Sequence, residues 1–225
     1  MSRQGLYRNG LIADLTSASP MVHSYTTLFE QLSLAVAGAN TPLIVVTSPA
    51  RGDGRSTIAA NMAICAAGLG GHRTLIVDAD MGRPGLSKLF GVPKTDGLAE
   101  VLMGTAAWED VVQSTGDSGP AVMTAGHGPS SVLVARASRF PELVEQWRSH
   151  YDWIVLDSSP VLLSAGACVA GRHASGALLA MRAGRTRPEV LEAAATRLRD
   201  TGVRILGAVL NRRRFMIPRF TYRRL

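Results

Sequence analysis

The chain has 225 residues, 46% of them hydrophobic, and a formal net charge of +7, a length and composition that suit one full hydrophobic core. No run of 18 or more apolar residues occurs, and the opening Met1-Ser2-Arg3-Gln4-Gly5 lacks the apolar stretch of a signal peptide; these features argue against a membrane-spanning helix and predict a soluble, cytoplasmic protein. Six arginines (Arg212, Arg213, Arg214, Arg219, Arg223, Arg224) and no acid fall in residues 212–225, which leaves +1 for everything before them, so the charge marks a basic tail on a nearly neutral domain spanning residues 1–211.

In chain order, residues 21–37 predict a helix ahead of a first strand over 43–47, built on Leu43-Ile44-Val45-Val46. A glycine-containing loop follows, and then an alanine-rich helix over 56–69. Further strands are predicted at 74–78, 121–124, 153–157, 177–181 and 205–210. Helices are predicted at 139–150 and 188–201, the latter with Pro188 suited to a first turn, and residues 97–114 carry one or two short ones. Short apolar runs alternating with helices predict an α/β fold, a doubly wound and mainly parallel sheet. Cys65 and Cys168 lie in apolar segments without metal-ligand spacing and read as small core residues. Trp108, Trp147, Trp153 and Met62 read as packing, and His127 as a solvated loop residue.

Three segments carry chemistry. In the first, Ser48-Pro49-Ala50-Arg51-Gly52-Asp53-Gly54-Arg55-Ser56-Thr57 joins a strand to a helix, the layout in which backbone N–H groups and a helix N-terminus converge on phosphate. Gly54 and Ser56 stand where a Walker A loop needs Gly and Ser/Thr, but Arg55 replaces the lysine between them. The second is Leu75-Ile76-Val77-Asp78-Ala79-Asp80, a strand ending in two acids spaced to serve a magnesium shell and a base. The third, Trp153-Ile154-Val155-Leu156-Asp157, has the form of a Walker B strand, with its acid at the carboxyl end, where open α/β sheets bind ligands.

Longer matches surround these segments: Thr47 to Thr57, Asp78-Ala79-Asp80-Met81-Gly82-Arg83-Pro84-Gly85-Leu86-Ser87-Lys88-Leu89-Phe90-Gly91, Gly97 to Gly104, Tyr151 to Pro160, Arg182 to Thr186 and Gly207 to Asn211. Over roughly residues 20–211 the chain resembles the cytoplasmic domain of the bacterial tyrosine kinases that govern capsule and exopolysaccharide assembly, a P-loop NTPase branch related to the partition and septum-positioning ATPases. The resemblance implies ATP or ADP with Mg2+ as cofactors. Arg51, Gly52, Asp53, Gly54, Arg55, Ser56 and Thr57 would contact the nucleotide, and Asn211 would approach the adenine. Ser56, Asp78 and Asp157 would hold the metal, and Asp80 would be the base for a tyrosine hydroxyl, with Arg55, Asp78 and Asp157 completing the catalytic set.

By the same resemblance the partner is a membrane chain-length regulator acting in trans, at the inner face of the plasma membrane. The departures from the family pattern predict a weakened kinase or a nucleotide-dependent regulatory subunit. Arg55 is one. The amino-terminal Glu-x-x-Arg-x-x-Arg assembly motif falls on His23, Thr26 and Phe29, which argues against the family's ring. The carboxy-terminal tyrosine cluster is reduced to Tyr222, the N-P-S-E-L-L segment becomes Pro129-Ser130-Ser131-Val132-Leu133-Val134, and the acid expected after the third motif falls near Gly166. Residues 212–225, with Phe215, Ile217 and Phe220 among the arginines, suit an anionic membrane surface, with DNA the less favoured alternative. A partition-type ATPase is the third reading, against which Pro49, Ala50 and Arg51 stand where that group carries an extra lysine.

Overall fold

The computed structural model describes residues 7–8 and 10–212. Its centre is a seven-stranded sheet of β3 (Leu43–Thr47), β4 (Thr74–Ala79), β5 (Val112–Gln113), β6 (Ala121–Met123), β7 (Trp153–Ser158), β8 (Gly176–Arg182) and β9 (Ile205–Asn211), in the spatial order β5-β6-β4-β7-β3-β8-β9. Only β5 runs antiparallel to its neighbour. A separate hairpin of β1 (Tyr7–Arg8) and β2 (Leu11–Ile12) precedes it.

Alternation along each strand divides the interior in two. Leu43 and Val45, Leu75 and Val77, and Ile154 and Leu156 point to one face, where α4 (Leu98–Met103), α5 (Trp108–Val111), α6 (Val132–Ala135), α7 (Phe140–His150), α8 (Gly166–Gly171) and α9 (Pro188–Asp200) supply Trp108, Phe140, Trp147 and Leu198. Ile44, Val46, Ile76 and Val155 point to the other, against α1 (Pro20–Ala35) and α2 (Arg55–Gly68), while α3 (Leu86–Phe90) closes its edge. Strands apolar on both faces need this double cover.

α2 is enclosed on nearly every side, which its run of alanines permits. Asn61, buried on this helix, accepts from the Ile12 N–H (2.8 Å) and donates to the Gly10 carbonyl (3.2 Å), fixing the amino-terminal hairpin to it. From α1, Phe29 packs on Trp153 with ring centroids 5.3 Å apart.

Every long element expected from sequence is present within a residue or two. Cys65, Cys168, Met62 and the three tryptophans are buried, as expected. The hairpin, β5, α3, α6 and α8 go beyond that reading, because elements of two to six residues are too short to display a period. Among the described residues no helix is long and apolar enough to cross a membrane. The expectations for residues 213–225 lie outside the described residues.

Candidate functional site

The carboxyl ends of β3, β4 and β7 meet under the loop between β3 and α2, with Asp78 of β4 directly opposite Asp157 of β7 in the parallel register. Two glycines in left-handed conformation, Gly52 (φ 86°) and Gly54 (φ 95°), turn the loop so that Gly54 opens α2 with no side-chain cap. The first N–H groups of the helix are therefore left without a side-chain cap, the free donors that anion binding at a helix start uses.

A Cβ at Gly54 would overlap the Asn211 amide, whose Nδ2 donates to the Asp53 carbonyl (2.9 Å). Asp53 is buried and turned inward, accepting from the Ala50 N–H (3.2 Å) and the Thr186 hydroxyl (3.3 Å). Asp53 and Asn211 thus brace the loop from beneath. Arg51 is exposed at its rim, in a cleft of about 520 Å3 walled by Asp80, Gly82, Ser130, Ser131 and Ser159.

Arg55 lies at the head of α2, and its buried side chain is engaged on every side by protein groups. Its Nε donates to the Ser158 carbonyl (2.8 Å), and one terminal nitrogen donates to the Ser48 hydroxyl (2.9 Å) and the Ala50 carbonyl (3.2 Å). The other terminal nitrogen pairs with Asp80 at 2.8 Å, both side chains being 8% exposed. One planar fork thereby joins the start of the loop, the end of β7 and the residue expected to act as base, a geometry that a lysine ammonium cannot reproduce.

The two strand-end acids differ. Asp78 accepts from the N–H groups of Asp80 (3.2 Å), Gly85 (2.8 Å) and Leu86 (3.0 Å), and so anchors the turn into α3. Burial pushes its carboxyl up to about 6 despite those bonds. Asp157 is fully buried, and neither carboxylate oxygen makes a hydrogen bond of good geometry, although the Ser56 hydroxyl is near enough to act on it. Its carboxyl is pushed well above the usual range, first by burial and then by Asp78, with Ser56 and Arg55 acting in the opposite direction. The Ser56 hydroxyl faces Gly85, where a Cβ would lie 3.0 Å from its oxygen, so Ser56, Asp78 and Asp157 converge. A buried carboxylate without a hydrogen bond of good geometry is costly alone, and an all-oxygen group of this kind fits a hard divalent cation.

The structure thus gathers Arg51 to Thr57, Asp78, Asp80, Asp157 and Asn211 around one loop. Thr57 lies at its hairpin side, its methyl toward Gly10. Sequence reasoning assigned no role to Arg185, whose Nη1 would lie 3.2 Å from a Cβ at Gly52; its only signal was membership of the Arg182 to Thr186 match. His127 is largely exposed, as expected, but the structure gives it carboxylate neighbours in Asp96 and Glu100.

No family model matches the sequence. Among curated proteins, tyrosine-protein kinase YwqD of Bacillus subtilis is 28% identical over 211 residues, 93% of this chain and 89% of its own length. The putative tyrosine-protein kinase CapB of Staphylococcus aureus is 31% identical over 171 residues, covering 75% of this chain and 74% of its own. The chain belongs to the bacterial tyrosine-protein kinase family. It spans only 27% of longer members such as the putative kinase EpsB of Ralstonia solanacearum. Among solved structures, the kinase domain of the Escherichia coli tyrosine kinase ETK superposes with a TM-score of 0.81 at 27% identity, covering 96% of this chain and 88% of that one. The septum-site protein MinD of Pyrococcus horikoshii, solved with Mg-ADP, is more distant, with a TM-score of 0.65 at 26% identity. Both the family and the doubly wound P-loop fold expected from sequence are therefore established.

Proposed function

We propose that residues 1–211 form the nucleotide-binding domain of a bacterial tyrosine-kinase system for capsule or exopolysaccharide, and that it binds ATP or ADP with Mg2+ on Gly52 to Thr57. The observation that carries this reading is the buried Asp157 carboxylate, without a hydrogen bond of good geometry, beside Asp78 and Ser56 under a phosphate-type loop. Asp157, Asp78 and Ser56 would hold the Mg2+, which supplies charge neutralisation to the phosphates. The backbone of Gly52 to Thr57 binds the phosphates, Asp53 and Asn211 keep the loop in shape, and Arg51 and Arg185 offer positive charge at its rim.

Tyrosine transfer requires a group at Asp80 that accepts the hydroxyl proton, and here Asp80 is engaged by Arg55. That contact favours the second reading, in which the domain binds nucleotide and signals by binding, with slow transfer. A membrane chain-length regulator acting in trans is the proposed partner, and the basic residues 212–225 are proposed to attach to an anionic inner-leaflet surface. The family's ring is not expected: Phe29 of the degenerate assembly motif is buried against Trp153 rather than presented to a neighbour. Calorimetry with Mg-ATP, followed by phosphotyrosine mass spectrometry with an acceptor peptide in trans, separates the readings. Binding with family-normal phosphorylation supports the kinase, binding without it supports the regulatory subunit, and the absence of binding defeats both.

A further inference from the structure

Outside the phosphate-loop site, one group of metal-ligating side chains converges among the described residues. It comprises Asp96, Glu100 and His127, each with one ligand atom within 4.8 Å of the other two. His127 Nδ1 is 3.6 Å from Asp96 Oδ1 and 3.8 Å from Glu100 Oε1. The residues come from two segments, the entry to α4 and the loop after β6, which Leu98 and Ala99 join by donating their N–H groups to the carbonyls of Thr124 (2.9 Å) and Ala125 (3.1 Å).

Glu100 is held in place from below. Its carboxylate is 11% exposed and accepts from the N–H of Gly97 (2.8 Å) on one oxygen and of His127 (2.9 Å) on the other. Gly126 has φ 77°, and a Cβ there would overlap that carboxylate. Burial alone would raise the Glu100 carboxyl, but these backbone donors outweigh it and hold the group below the usual range. A helix-capping role accounts for the bond from Gly97. It does not account for an imidazole nitrogen and a second carboxylate closing over the same group from the solvent side.

We propose that Asp96, Glu100 and His127 form a binding site for a borderline divalent transition-metal ion, with zinc as the reference case, separate from the Mg2+ and nucleotide site. One imidazole nitrogen with two carboxylate oxygens suits zinc and its neighbours, whereas magnesium and calcium prefer oxygen alone. Zinc bonds of about 2.0–2.2 Å place tetrahedral neighbours roughly 3.3–3.6 Å apart. The two separations from His127 meet this after shifts of a few tenths of an ångström, and the exposed Asp96 side chain, within 4.8 Å of Glu100, is free to close the third. Three protein ligands leave a fourth position for water, and the backbone donors on Glu100 supply the orienting contacts that tuned metal sites carry. The chain runs on from His127 through Gly128 and Pro129 to Ser130 and Ser131, which wall the cleft beside Asp80, so a bound ion tethers that wall.

The test uses the chelator-stripped full chain, titrated with Co2+ and then Zn2+, followed by visible absorption and histidine-selective NMR. His127→Gln and Asp96→Asn are the informative variants, since both residues are about 60% exposed and their exchange leaves the core intact. We expect Co2+ absorption that Zn2+ displaces, with the His127 ring the first of the five histidines to shift. Each variant should weaken zinc at least about tenfold, while Asp157→Asn leaves zinc affinity unchanged. Undiminished zinc binding in His127→Gln, another histidine ring shifting before that of His127, or loss of the site in Asp157→Asn would overturn the assignment.

Discussion

Two aspartates bracket β7, and their settings are opposite. At its entry, Asp152 receives a bidentate contact from Arg73 (2.6 and 3.1 Å) and the Arg73 N–H (2.9 Å), while its own N–H donates back to the Arg73 carbonyl (2.8 Å). The Arg73 side-chain bonds hold the Asp152 carboxyl down at about 2. At the exit of the same strand, Asp157 is buried without a hydrogen bond of good geometry, and its carboxyl is forced upward. One end of the sheet is finished for stability in water. The other leaves a buried carboxyl at a local cost that the proposed Mg2+ would offset.

The greatest expected loss at the exit end comes from Gly54→Val. A β-branched residue at φ 95°, overlapping the Asn211 amide, should abolish Mg-ATP binding in calorimetry, and retained affinity would remove the loop from the site. Arg55→Lys should come next. It frees Asp80 from the fork and restores the usual loop ammonium, so turnover with a tyrosine acceptor in trans should rise by at least about tenfold, toward the roughly 10²–10³ that a preorganised donor supplies, with nucleotide affinity changing less than about threefold. A slower Arg55→Lys enzyme would identify Arg55 as a working substitute.

Asp157→Asn sharpens the contrast in stability. It should raise the Tm of the Mg-free protein by about 4 °C or more at pH 8 while removing any stabilisation by Mg2+; a lower Tm would mean that the carboxylate is satisfied without metal. A related pH dependence follows. Folded Asp78 and Asp157 hold protons more tightly than an unfolded carboxyl near 3.8, so the folded state binds more protons and stability falls as pH rises through about 4 to 6 and beyond. Thermal melts without metal should show this decline, and saturating Mg2+ should flatten it. Asp152→Asn is the smallest change. Its carboxyl is depressed, so any contribution is present above about pH 4 and lost toward pH 2, and because the pair is exposed its removal should shift Tm by no more than about 2 °C at neutral pH.

The loop, the Asp78-Ala79-Asp80 turn and the strand ending in Asp157 were legible in the sequence because each is a local pattern. That Arg55 replaces lysine was equally plain. Its destination was not, since the carbonyl of Ser158 lies 103 residues away and Asp80 25, and only the sheet order brings them together. The same holds for Phe29, which in sequence merely interrupts an assembly motif and in the fold is a core residue against Trp153. His127 gave no sequence signal of its carboxylate neighbours, because the pairing of Gly97 to Ala99 with Thr124 to Ala125 is a tertiary contact.

The bond from Asn211 to the Asp53 carbonyl spans 158 residues. On the ribosome the phosphate loop emerges well before the side chain that seats it, which belongs to the last of the described strands. At about 5–20 residues per second, roughly 10–30 s separate the two events. Nascent chains stalled before Asn211 clears the exit tunnel should therefore fail to retain Mg-ATP, and nucleotide competence should appear abruptly once it has emerged.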